Sequence, residues 1–336
     1  VTFRRAVVIG STAWGTTLAV LLARNGLDVT ILTRTAAEAT EIETAREHRR
    51  RLAGTPFPAS LHASADPVKL EAADLVCVGT PAQTVAGNLH AVSTHVSPSA
   101  TVLSASKGIE TTSGRRMSEV VCEVLPGRPV AALSGPNLSR EVASGLPGTT
   151  VIASADASLT ELRAAFHSPA FRVYTTKDII GVELGGALKN IFAIAGGMVD
   201  ALGYGDNAKA AILTRGLAEM TRLGVAAGAD PLTFQGLAGV GDLMATAYSQ
   251  LSRNRRLGEL LGGGLGLDGA LAEIGETAEG AATTPAALGL AARYGVRMPI
   301  TEGLHAILYE GLALQDAIQA LLQRDPGPER LTGPRG

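Results

Sequence analysis

The sequence predicts an open, doubly wound α/β sheet followed by an all-α domain. Three observations carry that expectation. Short apolar runs alternate with helical stretches as far as about residue 177, long Ala/Leu/Gly stretches at helical spacing with no strand pattern follow, and 336 residues at about 150 per domain point to two domains. The expected boundaries are 1–177 for the sheet domain and 178–325 for the helical domain, with a Pro-, Gly- and Arg-rich tail at 326–336 expected to fray. Hydrophobic residues make up 46% and charged residues 18%, enough to build a core and to exclude disorder as the main state.

The first strand is Ala6-Val7-Val8-Ile9, a continuous apolar run of the kind buried on both faces of a parallel sheet. A helix is expected over 14–25, stopped by Gly26, and Val29-Thr30-Ile31-Leu32 is the next strand. Further strands are expected at Leu75-Val76-Cys77-Val78, Thr101-Val102-Leu103-Ser104, Val130-Ala131-Ala132-Leu133, Thr150-Val151-Ile152-Ala153 and Phe171-Arg172-Val173-Tyr174. Three of them run into small polar or glycine-containing turns (Gly79-Thr80-Pro81, 104–108 and Ser134-Gly135-Pro136-Asn137), where such sheets bind ligands. In the second domain the longest helices are expected over 179–202 and 207–227, and Pro231 is placed to open another at its first turn.

Charge excludes several partners. With 29 basic against 31 acidic residues the formal charge is −2, which argues against nucleic acid or an anionic membrane surface. Cys77 and Cys122 are too few for a disulfide framework or a cysteine-based metal site, so no metal is expected. No apolar run comes near the roughly 20 residues that span a bilayer, and the apolar run after Arg5 is too short for a signal peptide, so the expectation is a soluble cytoplasmic protein without stable membrane insertion. Of the 29 basic residues only five are lysines: Lys69, Lys107, Lys177, Lys189 and Lys209. Arginine cannot release a proton near neutral pH whereas a desolvated lysine can, so proton chemistry is sought first at these five.

Gly10-Ser11-Thr12-Ala13-Trp14-Gly15 follows the first strand and opens a helix. It matches the Rossmann-like fingerprint G-x-G-x-x-G with Thr12 at the middle glycine. That threonine crowds the pyrophosphate, although its hydroxyl could donate to it. The second strand ends Leu32-Thr33-Arg34-Thr35, with Arg34 where an NAD-binding site usually carries an acid, so the cofactor is expected to be NADP or NAD. The run Arg46-Glu47-His48-Arg49-Arg50-Arg51 reads as a solvated helix face. Lys189 and Asn190 lie inside an otherwise apolar helix, so Lys189 either reaches the surface or faces a cavity as a general acid. Asp242, in Gly239-Val240-Gly241-Asp242-Leu243, is a candidate partner for that ammonium, and Arg253 and Asn254, after Ser252 at a helix start, are candidates for holding a phosphate. Each segment alone is equally compatible with a purely structural role.

Together these segments resemble the bacterial NAD(P)-dependent glycerol-3-phosphate dehydrogenase family, over nearly the whole chain and in the family's order. The resemblance is most specific in Glu183-Leu184-Gly185-Gly186-Ala187-Leu188-Lys189-Asn190 and Leu251-Ser252-Arg253-Asn254-Arg255-Arg256, supported by Ser106-Lys107-Gly108 and Ser134-Gly135-Pro136. It implies Lys189 as the proton-transferring residue, with Lys107 and Asp242 also catalytic. Implied substrate contacts are Lys107, Gly135, Asn137, Lys189, Asp242, Ser252, Arg253 and Asn254. Implied cofactor contacts are Gly10, Ser11, Thr12, Ala13, Trp14, Gly15, Arg34, Lys107, Ser139, Arg253, Thr277 and Glu279. Asn137, Ser139, Thr277 and above all Thr12 depart from the family's usual residues.

The implied reaction interconverts dihydroxyacetone phosphate and sn-glycerol 3-phosphate and feeds glycerophospholipid synthesis. An ammonium aimed at the ketone oxygen would stabilise its developing charge and then protonate it, in a cleft between the domains that closes on substrate. The expected partner is a small phosphorylated substrate, and homodimerisation stays open. Two other readings also stay open: a related 3-hydroxy-acid or sugar-acid dehydrogenase, and a dinucleotide sensor without turnover.

Overall fold

The computed structural model describes residues 3–323; the expected frayed tail lies outside them. The chain divides into two compact units, the first formed by Val1–Lys107 and Arg116–Val182, the second by Gly108–Arg115 and Glu183–Gly336. The division thus falls a few residues later than composition indicates, and a short segment after Lys107 belongs to the second unit.

Unit 1 is built on an eight-stranded sheet: β1 Arg5–Ile9, β2 Asp28–Leu32, β3 Leu61–Ser64, β4 Leu75–Val78, β5 Thr101–Ser104, β6 Val130–Ser134, β7 Gly148–Ala153 and β8 Phe171–Thr176. Their order is β3-β2-β1-β4-β5-β6-β7-β8, so the order reverses on either side of β1, the switch point at which ligands bind in doubly wound sheets. Neighbours are parallel except β6 and β7. Helices α1 Ala13–Arg24, α2 Ala36–Ala45, α3 Arg49–Leu52, α4 Val85–Val92, α5 Met117–Val124, α6 Ser139–Ala143 and α7 Leu159–Phe166 fall between the strands. Alternate residues of β1 feed two apolar clusters, Ala6 and Val8 in one, Val7 and Ile9 in the other, so both faces of the sheet are covered.

Unit 2 is helical among the described residues: α8 Ile179–Ala201 (whose first turn lies in unit 1), α9 Gly205–Ala226, α10 Asp242–Tyr248, α11 Arg253–Gly262, α12 Leu267–Ile274, α13 Glu279–Tyr294, α14 Pro299–Tyr309 and α15 Leu314–Leu322. Pro231 opens only a single-turn tight helix, Pro231–Gln235, and a wide π turn, Leu237–Gly241, leads into α10.

Two expectations need correction. Helix α8 is long and apolar enough to cross a membrane by length and composition, with a mean hydropathy of 1.4 over its best window; 89% of that window is buried inside the protein, as in a core helix. The basic run at 46–51 is not one helix face. Arg46, with φ +53°, ends α2 in the left-handed region, and His48 is buried while Arg49, Arg50 and Arg51 are exposed.

Candidate active site

Unit 1 contributes a cradle at the carboxyl end of β1. The chain leaves Ile9 through Gly10 at φ +108°, a conformation that favours glycine, and a Cβ there would lie 2.7 Å from Thr80 Cγ2. At Gly15 a Cβ would lie 2.1 Å from the Gly10 carbonyl oxygen, so the turn closes on itself. Thr12 is the N-cap of α1: its Oγ1 accepts from Gly15 N at 2.9 Å and donates to Gly79 O at 2.6 Å. Its one hydroxyl proton is therefore directed into the protein and is not offered to a pyrophosphate, contrary to the expectation from sequence. The exposed Arg34 stands two residues beyond the end of β2.

The cradle fits a dinucleotide. The indole Nε1 of Trp14, the first-turn hydroxyl of Thr16, and the hydroxyls of Thr80, Ser104 and Ser134 at or just past the ends of β4, β5 and β6 are buried polar atoms without a hydrogen-bond partner among the described residues. Orphaned polar groups at a strand switch point and at a helix N-terminus are suited to a phosphate-bearing cofactor. Two further residues fix the turn. Ser11 Oγ donates to Glu38 Oε1 at 2.5 Å, and His48 Nε2 lies 2.8 Å from Ser11 O, which puts the ring proton on Nε2 because a carbonyl only accepts. Burial holds the His48 imidazole below its ordinary pKa.

On the same unit Lys107 Nζ donates to Gly135 O at 2.8 Å, which places the lysine against the turn after β6. Gly135 has φ +140°, and a Cβ there would lie 3.1 Å from Thr150 Cα. The Asn137 side chain is turned inward: Nδ2 donates to Thr149 O at 2.8 Å and Oδ1 accepts from Thr150 Oγ1 at 3.0 Å. Its visible work is to pin this turn to β7. Ser139 opens α6, and its carbonyl accepts from Thr17 Oγ1 at 3.2 Å.

Unit 2 contributes a buried polar constellation around α8. Lys189 Nζ donates to Thr246 Oγ1 at 2.5 Å and lies 2.9 Å from Asp242 Oδ1, while Thr246 donates to Asp242 Oδ1 at 3.2 Å. The Lys189 and Asp242 side chains are only 7% and 3% exposed, so the ammonium does not reach the surface but is held by an ion pair with an added hydrogen bond, the arrangement a buried charge requires. Asp242 and Thr246 stand four apart on α10 and so share one face.

The neighbouring residue connects this constellation to the phosphate candidates. Asn190 Oδ1 accepts from Asn254 Nδ2 at 2.8 Å, and Asn254 Oδ1 accepts from Gly280 N at 2.9 Å, linking α8, α11 and the start of α13. Glycines allow that approach: a Cβ on Gly258 would lie 2.0 Å from Ile194 O, and one on Gly280 would lie 2.6 Å from Asn190 O. Ser252 caps α11 by accepting from Arg255 N at 3.2 Å, leaving its hydroxyl proton available. Arg253 is half exposed and pairs with Glu276 at 3.2 Å. Thr277 is exposed just before α13, and Glu279 is the first residue of that helix. Asp200 holds α11 from the other side, accepting from Lys209 Nζ at 2.6 Å and Arg255 Nε at 2.9 Å.

Sequence reasoning missed Thr246, Glu38 and His48. A hydroxyl four residues after a candidate aspartate was the one available signal for Thr246. Neither Glu38 nor His48 had one, since their roles rest on contacts 27 and 37 residues away in sequence.

The comparisons fit this geometry. Residues 5–160 match the family described as NAD-dependent glycerol-3-phosphate dehydrogenase N-terminus, and residues 178–319 match its C-terminus. The chain is 45% identical over 333 residues to the glycerol-3-phosphate dehydrogenase [NAD(P)+] of Chlorobium limicola, covering 96% of this chain and 98% of that one. It is 46% identical over 330 residues to that of Parafrankia sp., covering 97% and 99%. The crystal structure of glycerol-3-phosphate dehydrogenase from Coxiella burnetii superposes with a TM-score of 0.91 at 37% identity, covering 96% of this chain and 99% of that one. The chain belongs to the NAD-dependent glycerol-3-phosphate dehydrogenase family and is an NAD(P)-dependent oxidoreductase.

Proposed function

We propose that this chain reduces dihydroxyacetone phosphate to sn-glycerol 3-phosphate in the cytoplasm, with Lys189 as the proton donor, and so supplies the glycerol backbone of phospholipids. The observation that carries the reading is the single hydrogen bond from Asn254 to Asn190, because it fixes the residue after the lysine to the residue after the arginine. One contact thereby sets the spacing between an acid and an anion clamp, which a phosphorylated ketone needs and a plain hydroxy acid does not.

The reduced nicotinamide supplies the hydride when bound. Gly10, Ser11, Thr12, Ala13, Trp14 and Gly15 would hold the cofactor by backbone and helix N-terminus, and Arg34 would meet its adenosine end. Ser139, Thr277 and Glu279 are the remaining candidates for cofactor contact. On the substrate, Ser252, Arg253 and Asn254 at the start of α11 take the phosphate, combining a permanent charge with the helix dipole. Lys107, Gly135 and Asn137 are the substrate-contact candidates of unit 1. Lys189 presents its ammonium to the C2 oxygen as negative charge develops there and then donates its proton. Asp242 and Thr246 fix its direction, and the hydroxyl lets the carboxylate orient the ammonium without being its sole partner.

A substrate panel tests the reading. The purified chain, given NADH and NADPH in parallel, is expected to reduce dihydroxyacetone phosphate and to ignore unphosphorylated keto acids. Turnover of the acids with no activity on the phosphorylated ketone would instead favour a hydroxy-acid dehydrogenase, and cofactor binding without turnover of either would favour a sensor.

A further inference from the structure

We propose that Glu38 is a nucleotide-selecting residue: its carboxylate, tied to the turn after β1 through Ser11, receives the hydroxyls of the adenosine ribose and repels a 2′-phosphate. The inference rests on the reading that this chain binds NAD(P).

In a doubly wound sheet the acid that selects NAD sits at the end of the second strand and accepts from the ribose 2′-hydroxyl. Here that strand end carries Arg34, and the acid comes from one helical turn further on. Glu38 lies in the first turn of α2, where Thr35 caps the helix by accepting from Glu38 N at 3.2 Å. Its side chain reaches the turn after β1, where Ser11 Oγ donates to Oε1 at 2.5 Å. Ser11 directly follows Gly10, so the carboxylate is held between the phosphate-binding turn and the end of β2, the strand that pairs with β1 from Arg5↔Asp28 to Ile9↔Leu32. This is where the ribose of a dinucleotide spanning the switch point has to lie.

The carboxylate is held in place. His48, buried, donates to the Ser11 carbonyl at 2.8 Å, so the serine that orients Glu38 is itself fixed through its backbone. Among the described residues, the hydrogen bond that Glu38 accepts from another side chain is on Oε1, which leaves Oε2 able to accept from a ribose hydroxyl. Arg34 and Glu38, four residues apart, therefore exert opposite preferences on the same end of the cofactor. The arginine attracts a 2′-phosphate and the glutamate disfavours it, which keeps NADH usable in a chain whose strand end would otherwise favour NADPH.

The test is equilibrium binding without substrate, by calorimetry or nucleotide fluorescence, on the unmutated protein, Glu38→Gln and Ser11→Ala. Glu38→Gln is expected to tighten NADPH by roughly tenfold or more, since a fixed charge beside a dianion is removed, and to weaken NADH by a few-fold. The NADPH gain should shrink as salt is raised, which a purely structural effect would not do. Ser11→Ala keeps the charge but releases its tether, and should shift the ratio toward NADPH by less than Glu38→Gln does. Equal changes for both cofactors in Glu38→Gln, or an NADPH gain that does not shrink as salt is raised, would overturn the proposal and leave Glu38 as a brace for the turn, with the dehydrogenase reading intact. Failure of the unmutated protein to bind either nucleotide would overturn both.

Discussion

Thr12 shows how a residue out of pattern can still serve the pattern. It stands where the fingerprint has bare backbone, yet it caps α1 and ties the turn to Gly79, so its contribution is to the shape of the cradle. Cofactor preference is consequently proposed to rest on Arg34 and Glu38. Arg34→Ala should weaken NADPH by one to two decades in Kd, the worth of about 1.5–3 kcal/mol for a charge-assisted bond, and barely change NADH. Equal losses measured by titration would show that Arg34 only supports the fold. Arg253→Ala should raise KM for dihydroxyacetone phosphate with kcat far less affected, because its charge meets the phosphate in ground and transition states alike. An unchanged KM would remove Arg253 from the clamp. Lys189 was legible in the sequence because a lysine in an apolar helix needs a partner. Thr246 was not, because a threonine on a helix face has many ordinary uses. Glu38 was hidden for the same reason, since an acid in the first turn of a helix reads as a favourable charge at the dipole.

Helix α8 organises unit 2 because glycines let its neighbours reach its backbone. Gly197 faces the Arg255 carbonyl, where a Cβ would lie 2.1 Å away, and Gly258 and Gly280 bring α11 and α13 to the same helix. Its length and the existence of its neighbours were readable from spacing, whereas these crossings depend on which helices meet. In the sheet, β3 escaped notice because Leu61-His62-Ala63-Ser64 carries one strongly apolar residue at a sheet edge. The antiparallel direction of β7 has no signature in an apolar run. Another element-level device is the buried Glu219 of α9, which accepts from Ile300 N at 2.7 Å, Thr301 N at 3.3 Å and Thr301 Oγ1 at 3.0 Å, and so anchors the first turn of α14. Burial pushes its carboxyl up to about 7, against the hydrogen bonds that favour the charged form. The folded state therefore holds this proton more tightly than the unfolded chain, and stability should fall as pH rises from about 4.5 to about 7, then level off. The whole effect is at most about 3 kcal/mol. Urea unfolding of the protein and of Glu219→Gln across that window should show a downward slope in the former that the latter lacks; parallel curves would contradict the assignment.

At the scale of the whole molecule, the candidate residues divide between the two units, and each set is fixed by contacts within its own unit. Unit 1 holds the dinucleotide cradle, Lys107 and the turn at Gly135, while unit 2 holds Lys189 with Asp242 and Thr246 and the start of α11. The change in periodicity expected near residue 177 lies close to the break after Val182, whereas nothing in the sequence marks the segment Gly108–Arg115, whose membership of unit 2 comes from tertiary contacts such as Arg293 Nη2 donating to Ser113 O at 3.1 Å. The central claim is that proton delivery by Lys189 makes this chain a ketone reductase. It is tested most directly by kcat for dihydroxyacetone phosphate reduction in Lys189→Ala, alongside Lys189→Met, which keeps most of the stem in case the unpaired Asp242 unfolds the alanine variant. With folding verified and nucleotide Kd unchanged, the account predicts a loss of roughly two to four decades in kcat, and near-normal turnover in a folded variant would contradict it.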